Sequence, residues 1–338
     1  MAWEQHSSGR WLWALKPIVM MILLALITTI TIGFITIPST RKRPEILQGS
    51  GASSPLYPRL LRAADYLASR YNPVVGLVSE GGGVGSNVPD GTPISRTYWV
   101  YSDNLWAQEA LRPFHPQLAA CISRAVEAYV EVYGMPNLFE VVLGEVIPTE
   151  IRSGRRIRVG EYTVNGEGHA VWVERHHPED GDVFYDAYEY ADLSFYLSLD
   201  YYLLGDFEAS EWWFRNGEAM WMGYGFYDKA ARVDGCYQNY KLGLYLFTAR
   251  ATGFPSTILD EVERVAWSQQ RDDGGIASLS HLNGTTLGEA NIETTSILLI
   301  AYNEDAIKRF QTPGRAHVCP RSGSPPDITS RFLEKQVR

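Results

Sequence analysis

The sequence predicts an all-α domain in which antiparallel helical hairpins form an inner and an outer ring, carrying a small β insertion and preceded by one transmembrane helix. Three observations predict it. Apolar residues recur at helical spacing over most of 56–312, the connections between successive helices are short, and strongly apolar helices alternate with amphipathic ones. With 338 residues, 45% of them hydrophobic and 12% aromatic, the chain has ample material for a large core. A net charge of -9 and the lack of any basic run interleaved with aromatics exclude nucleic acid as a partner. Cys121, Cys236 and Cys319 are too few and too scattered for a disulfide framework.

Behind an N-terminal flank, 1–16, residues 17–37 hold no charged side chain and are long enough as a helix to cross a hydrocarbon core of about 30 Å. Trp11 and Trp13 on one side and Arg41-Lys42-Arg43 on the other suit interfacial anchors. The run exceeds a usual signal-peptide core and lacks a small-x-small cleavage site, so a retained single-pass anchor is expected. Arg10 and Lys16 oppose the three later basic residues, which leaves the side of the membrane open. Residues 38–55, rich in Pro, Gly and Ser, form a flexible linker.

The domain opens with a helix from Leu56 to Tyr71, stopped by Asn72-Pro73. Gly81-Gly82-Gly83-Val84-Gly85 lacks the Lys-Ser/Thr of a phosphate loop and is read as a connection. Helices follow at 101–111 and 117–133. Residues 139–176 form the β insertion: Phe139–Ile147 is β-branched, and strands 155–164 and 169–174 flank the hairpin signal Asn165-Gly166. His176-His177 at its exit reads as a surface pair. Helical patterns resume at 188–204, 207–221, 236–252, 257–270 and 290–303, and 313–338 is a loose tail.

Four inner-helix starts align: Tyr101-Ser102-Asp103-Asn104, Tyr190-Ala191-Asp192-Leu193, Tyr237-Gln238-Asn239-Tyr240 and Asn291-Ile292-Glu293-Thr294. Each has an acid or amide at its third position. Such residues cap helices, but two concentric layers bring Asp103, Asp192, Asn239 and Glu293 to one rim, with Asp234 and Cys236 beside them.

Ser268-Gln269-Gln270-Arg271-Asp272-Asp273-Gly274-Gly275-Ile276, followed by Glu293-Thr294, is similar to a Gln-x-x-Asp-Gly-Gly turn and Glu-Thr helix. Those segments recur in the α/α toroids of terpenoid cyclases and protein prenyltransferase β subunits. Asp234-Gly235-Cys236-Tyr237 resembles the Asp-x-Cys-Tyr segment of the prenyltransferases. The resemblance implies an α/α toroid and a zinc held by Asp234, Cys236 and, where the family has histidine, Glu293, with His281 as the substitute ligand. The zinc would keep a bound thiol as thiolate.

Three functions fit these residues. One is a membrane-anchored, prenyltransferase- or cyclase-like enzyme for an isoprenoid or other apolar substrate, with Tyr237 among its rim groups. The second is a carbohydrate-active enzyme resembling six-hairpin glycosidases and polysaccharide lyases, in which Asp103 or Asp192 works with Glu293 on a glycan. The third is a non-catalytic toroid binding a cell-envelope partner. Four inner helices are few for a closed ring, so the β insertion, the Gly-rich loop or a partner subunit is expected to complete it.

Overall fold

Helix α1 (Tyr57–Ser69) starts on Pro58 and buries Leu60, Ala63, Ala64, Tyr66 and Leu67 along one stripe, the apolar positions of its 3.6-residue period. The computed structural model describes residues 56–81, 91–133, 138–148, 150–176 and 181–311. After α1 a tight turn pairs β1 (Tyr71–Asn72) with β2 (Leu77–Val78). There the Asn72 side chain accepts from the Val74 amide, 3.0 Å. Strand β3 (Thr97–Trp99) runs into a single π-helical turn, Val100–Asn104, and then α2 (Leu105–Leu111) and α3 (Pro116–Tyr133).

The hairpin of β4 (Arg155–Val164) and β5 (Glu167–Arg175) turns at Asn165-Gly166, both with positive φ, and β5 also pairs in parallel with β3. This turn type needs the left-handed region at both central residues, and Asn-Gly supplies it. Helices α4 (Ala191–Leu203), α5 (Phe207–Glu218) and α6 (Lys229–Asp234) follow. After them come strand β6 (Cys236–Gln238), helices α7 (Tyr240–Thr252) and α8 (Leu259–Ser268), strands β7 (Ala277–His281) and β8 (Thr286–Ala290), and helices α9 (Ile292–Ile300) and α10 (Glu304–Gln311).

Helices α2, α9, α7 and α4 pack side by side in that order and are apolar nearly all round. The amphipathic α3, α5 and α8 each cover their sequence neighbour, while α1 packs on α9 and α10 on α7. Close approach of α7 and α9 depends on Gly243, where a Cβ would stand 2.7 Å from the Leu298 amide nitrogen. The Asp-Gly-Gly turn holds α1: the Arg62 guanidinium donates to the carbonyls of Arg271 and Asp272, and Gly274 has φ 95° beneath the Arg62 backbone.

The all-α expectation is corrected here. The described residues form a mixed α and β fold with three small sheets, ordered β1-β2, β3-β5-β4 and β6-β7-β8. Residues 236–238, expected to open a helix, are a strand because they pair with 279–281 of a hairpin that turns through Asn283-Gly284. Strands of three to five residues held by distant pairing leave no alternating pattern long enough to detect. The β-branched run at 139–147 is also not a strand; it opens in a 3-10 helix, Leu138–Leu143.

The membrane expectation is corrected as well. No helix of the described residues is long and apolar enough to cross a membrane. The stretch 17–37 on which that expectation rested lies outside the described residues, as do 1–16, 38–55, 82–85, His177 and 313–338.

Candidate functional site

Asp192 is the second residue of α4, Glu293 the second of α9, and Asp103 belongs to the π-helical turn before α2. None of the three caps its helix. Helix α9 is capped by Asn291, whose side chain accepts from the Thr294 amide, and the caps of α4 and α2 make no side-chain bond. The ordinary reason for an acid at a helix start is therefore absent. Glu80, just after β2, joins them: its carbonyl accepts from the Ile292 amide, its amide donates to Thr97 O, and its carboxylate accepts from Trp99 Nε1 at 2.8 Å.

These carboxyl groups feel one another. Burial, then the charges of Glu80, Glu174 and Asp192, push Glu293 up to about 8, against the pull of Lys241. Glu293 is half-buried and keeps some exposure to solvent. Asp103, only 3% exposed, is raised well above the carboxylate range by burial and then by Glu80 and Glu293. Burial raises Glu80 too, with the Trp99 hydrogen bond opposing.

Asp192 has different company. Its Oδ2 accepts from the Tyr240 hydroxyl at 2.5 Å and its Oδ1 lies 3.5 Å from Lys241 Nζ. The Lys241 ammonium, 2% exposed, is also paired with Asp228, which is fully buried and accepts from the amides of Ala191 and Ala231. One carboxylate thus ties together the starts of α4 and α6 and the first turn of α7. The Tyr196 hydroxyl, beside Asp192 and Glu293, has no hydrogen-bond partner among the described residues, and neither has Asp103 Oδ2.

The other sequence candidates lie apart from this cluster. Asn239 precedes α7, but its side chain donates to Ala277 O and accepts from Ser280 Oγ, stitching α7 to β7. Asp234 is the exposed last residue of α6, accepting from Gln238 Nε2 at 3.4 Å. Cys236 is buried on β6 opposite His281, and its thiol is raised by burial and then by Asp234. Tyr237 packs over Gly225 and against Tyr227, with ring centroids 6.5 Å apart.

The zinc set Asp234, Cys236 and Glu293 is not brought together: the charges acting on Glu293 are those of Glu80, Glu174, Asp192 and Lys241. No three His, Cys, Asp or Glu side chains of the described residues are placed to hold a metal ion.

Sequence reasoning missed Glu80, Lys241, Asp228 and His176. Lys241 carried a signal, as the one cation within the apolar run 240–249; Glu80 did too, as a lone acid closing an apolar strand. His176 is not a surface residue: its side chain is 9% exposed, and Nδ1 donates to Arg152 O at 2.8 Å. Comparison with family profiles, with curated proteins and with solved structures finds no significant match to this chain.

Proposed function

We propose that the chain is a carbohydrate-active enzyme that cleaves glycosidic bonds by general acid–base catalysis. Glu293 is the proton donor and Asp192 the base or nucleophile. The observation that carries this assignment is the contrast between two neighbouring carboxyl groups. One is held protonated by burial and by surrounding acids. The other accepts from a phenol and lies 3.5 Å from an ammonium. Environments that push two carboxyl groups apart are what separates acid from base at neutral pH.

In this scheme Glu293 delivers its proton to the departing glycosidic oxygen, and Asp192 either takes a proton from water or attacks the anomeric carbon. Glu80, Glu174 and Asp192 favour the proton on Glu293 by repelling its anion, and Tyr196 and Tyr240 offer hydroxyls to the sugar. Four carboxyl groups are a costly lining for an isoprenoid and a suitable one for a ligand rich in hydroxyls.

The test is a panel of oligosaccharides and aryl glycosides incubated with the purified chain, with hydrolysis read as new reducing ends and elimination as absorbance of an unsaturated product. Cleavage that disappears in Glu293→Gln and Asp192→Asn, with unchanged thermal unfolding, supports the assignment. Cleavage that survives both substitutions refutes it.

A further inference from the structure

Sheet β3-β5-β4 presents one face that the carboxylate chemistry does not use. Alternate residues of a strand share a face, and the register sets Trp99 opposite Trp172, Arg156 opposite Glu174 and Arg158 opposite Trp172. Those five side chains therefore stand together. The two indole centroids are 5.9 Å apart, and the Arg156 guanidinium lies 5.6 Å from the Trp99 ring centroid.

This face adjoins the carboxyl cluster through two links. Trp99 Nε1 donates to Glu80, and Glu174 is among the charges acting on Glu293. Its charge is also unlike that of the rest of the chain. Residues 152–175 hold five arginines against three glutamates, in a protein of net charge -9. Trp172 is only 6% exposed, yet its indole N–H has no hydrogen-bond partner among the described residues. A buried donor without an acceptor costs free energy unless something supplies one.

We propose that this face binds an anionic sugar unit of the uronate type, next to the bond on which Glu293 and Asp192 act. The C–H face of a pyranose stacks on the half-buried Trp99 indole, and the planar Arg156 guanidinium matches a carboxylate in two-point contact. Arg156 and Glu174 are 3.5 Å apart with the arginine side chain 47% exposed. A pair so exposed contributes little to stability. A substrate carboxylate therefore joins or replaces Glu174 on Arg156 at little cost.

The inference rests on the glycosidase assignment for what happens to the ligand, but its test reads binding alone. Full-length Glu293→Gln protein, which does not turn over, is titrated with tetrasaccharides of galacturonate, mannuronate and glucuronate-containing hyaluronan, and with neutral cellotetraose. At least one uronate tetrasaccharide should bind about tenfold more tightly than cellotetraose, the worth of one charge-assisted contact. Arg156→Gln should erase that preference and Trp99→Ala should weaken both ligands, with the melting temperature unchanged.

Equal binding of the neutral sugar, a preference that survives Arg156→Gln, or no uronate binding would each overturn the inference. Cleavage of a neutral glycan by wild-type protein, lost in Glu293→Gln and accompanied by no uronate preference, would overturn it while leaving the glycosidase assignment standing.

Discussion

The start of α4 and the turn into β6 carry the same kinds of residue, an aspartate and a tyrosine beside a buried apolar helix, in opposite surroundings. Asp192 lies against a buried ammonium, a donating phenol and a second carboxyl group, Glu293. Asp234 is exposed at the end of a six-residue helix, and its charge acts on one buried thiol. Residue type at a helix start therefore says little by itself. What separates the two places is how many charged groups from other elements face the side chain, and how little water remains to screen them.

The largest expected difference is in catalysis. Glu293→Gln or Asp192→Asn should lower kcat for a glycan substrate by about 10²–10⁴, the usual contribution of a positioned acid or base. Asp234→Asn and Cys236→Ala should change it less than about twofold, as expected of residues outside the reacting groups. Comparable losses from both pairs would erase the contrast.

Stability should separate the regions next. Lys241→Met leaves Asp228 buried without its cation and should cost about 3–5 kcal/mol in urea unfolding, whereas Asp234→Ala should stay within about 0.5 kcal/mol. The pairing can be checked by adding Asp228→Asn to Lys241→Met, which should recover part of the loss.

A smaller effect follows from proton linkage. Glu293 titrates at about 8 when folded and near 4.5 in an unfolded chain, so between those values the folded protein binds more protons. Stability is then fully present below about 4.5 and declines as pH rises through 8, by a few kcal/mol at most. Glu293→Gln should reduce that slope in pH-dependent unfolding curves. An unchanged slope would place the proton elsewhere in the cluster.

Much of the carboxyl cluster is legible in the sequence, and the reason is local. Asp103, Asp192 and Glu293 each interrupt an apolar pattern at the start of a buried helix, so their positions stand out before their partners are known. Glu80 and Lys241 do not stand out as a pair, because what unites them is proximity between α7, α9 and the residue after β2. The β6-β7-β8 sheet escaped for the same reason. Its strands have three to five residues, and Asn283-Gly284 offered the same hairpin dipeptide that located β4 and β5. Cys236 looked functional because Asp234-Gly235-Cys236-Tyr237 resembles a zinc-binding segment and lies beside an expected helix start. In the fold it lies on a strand opposite His281, where burial disfavours the thiolate.

General acid catalysis at this site requires Glu293 to keep its proton at neutral pH. Carboxyl-labelled glutamate NMR, with Glu293 assigned by comparison to Glu293→Gln, measures this without any substrate. A titration midpoint at about 8 is expected. A midpoint in the ordinary glutamate range near 4.5 would contradict the assignment of Glu293 as the acid.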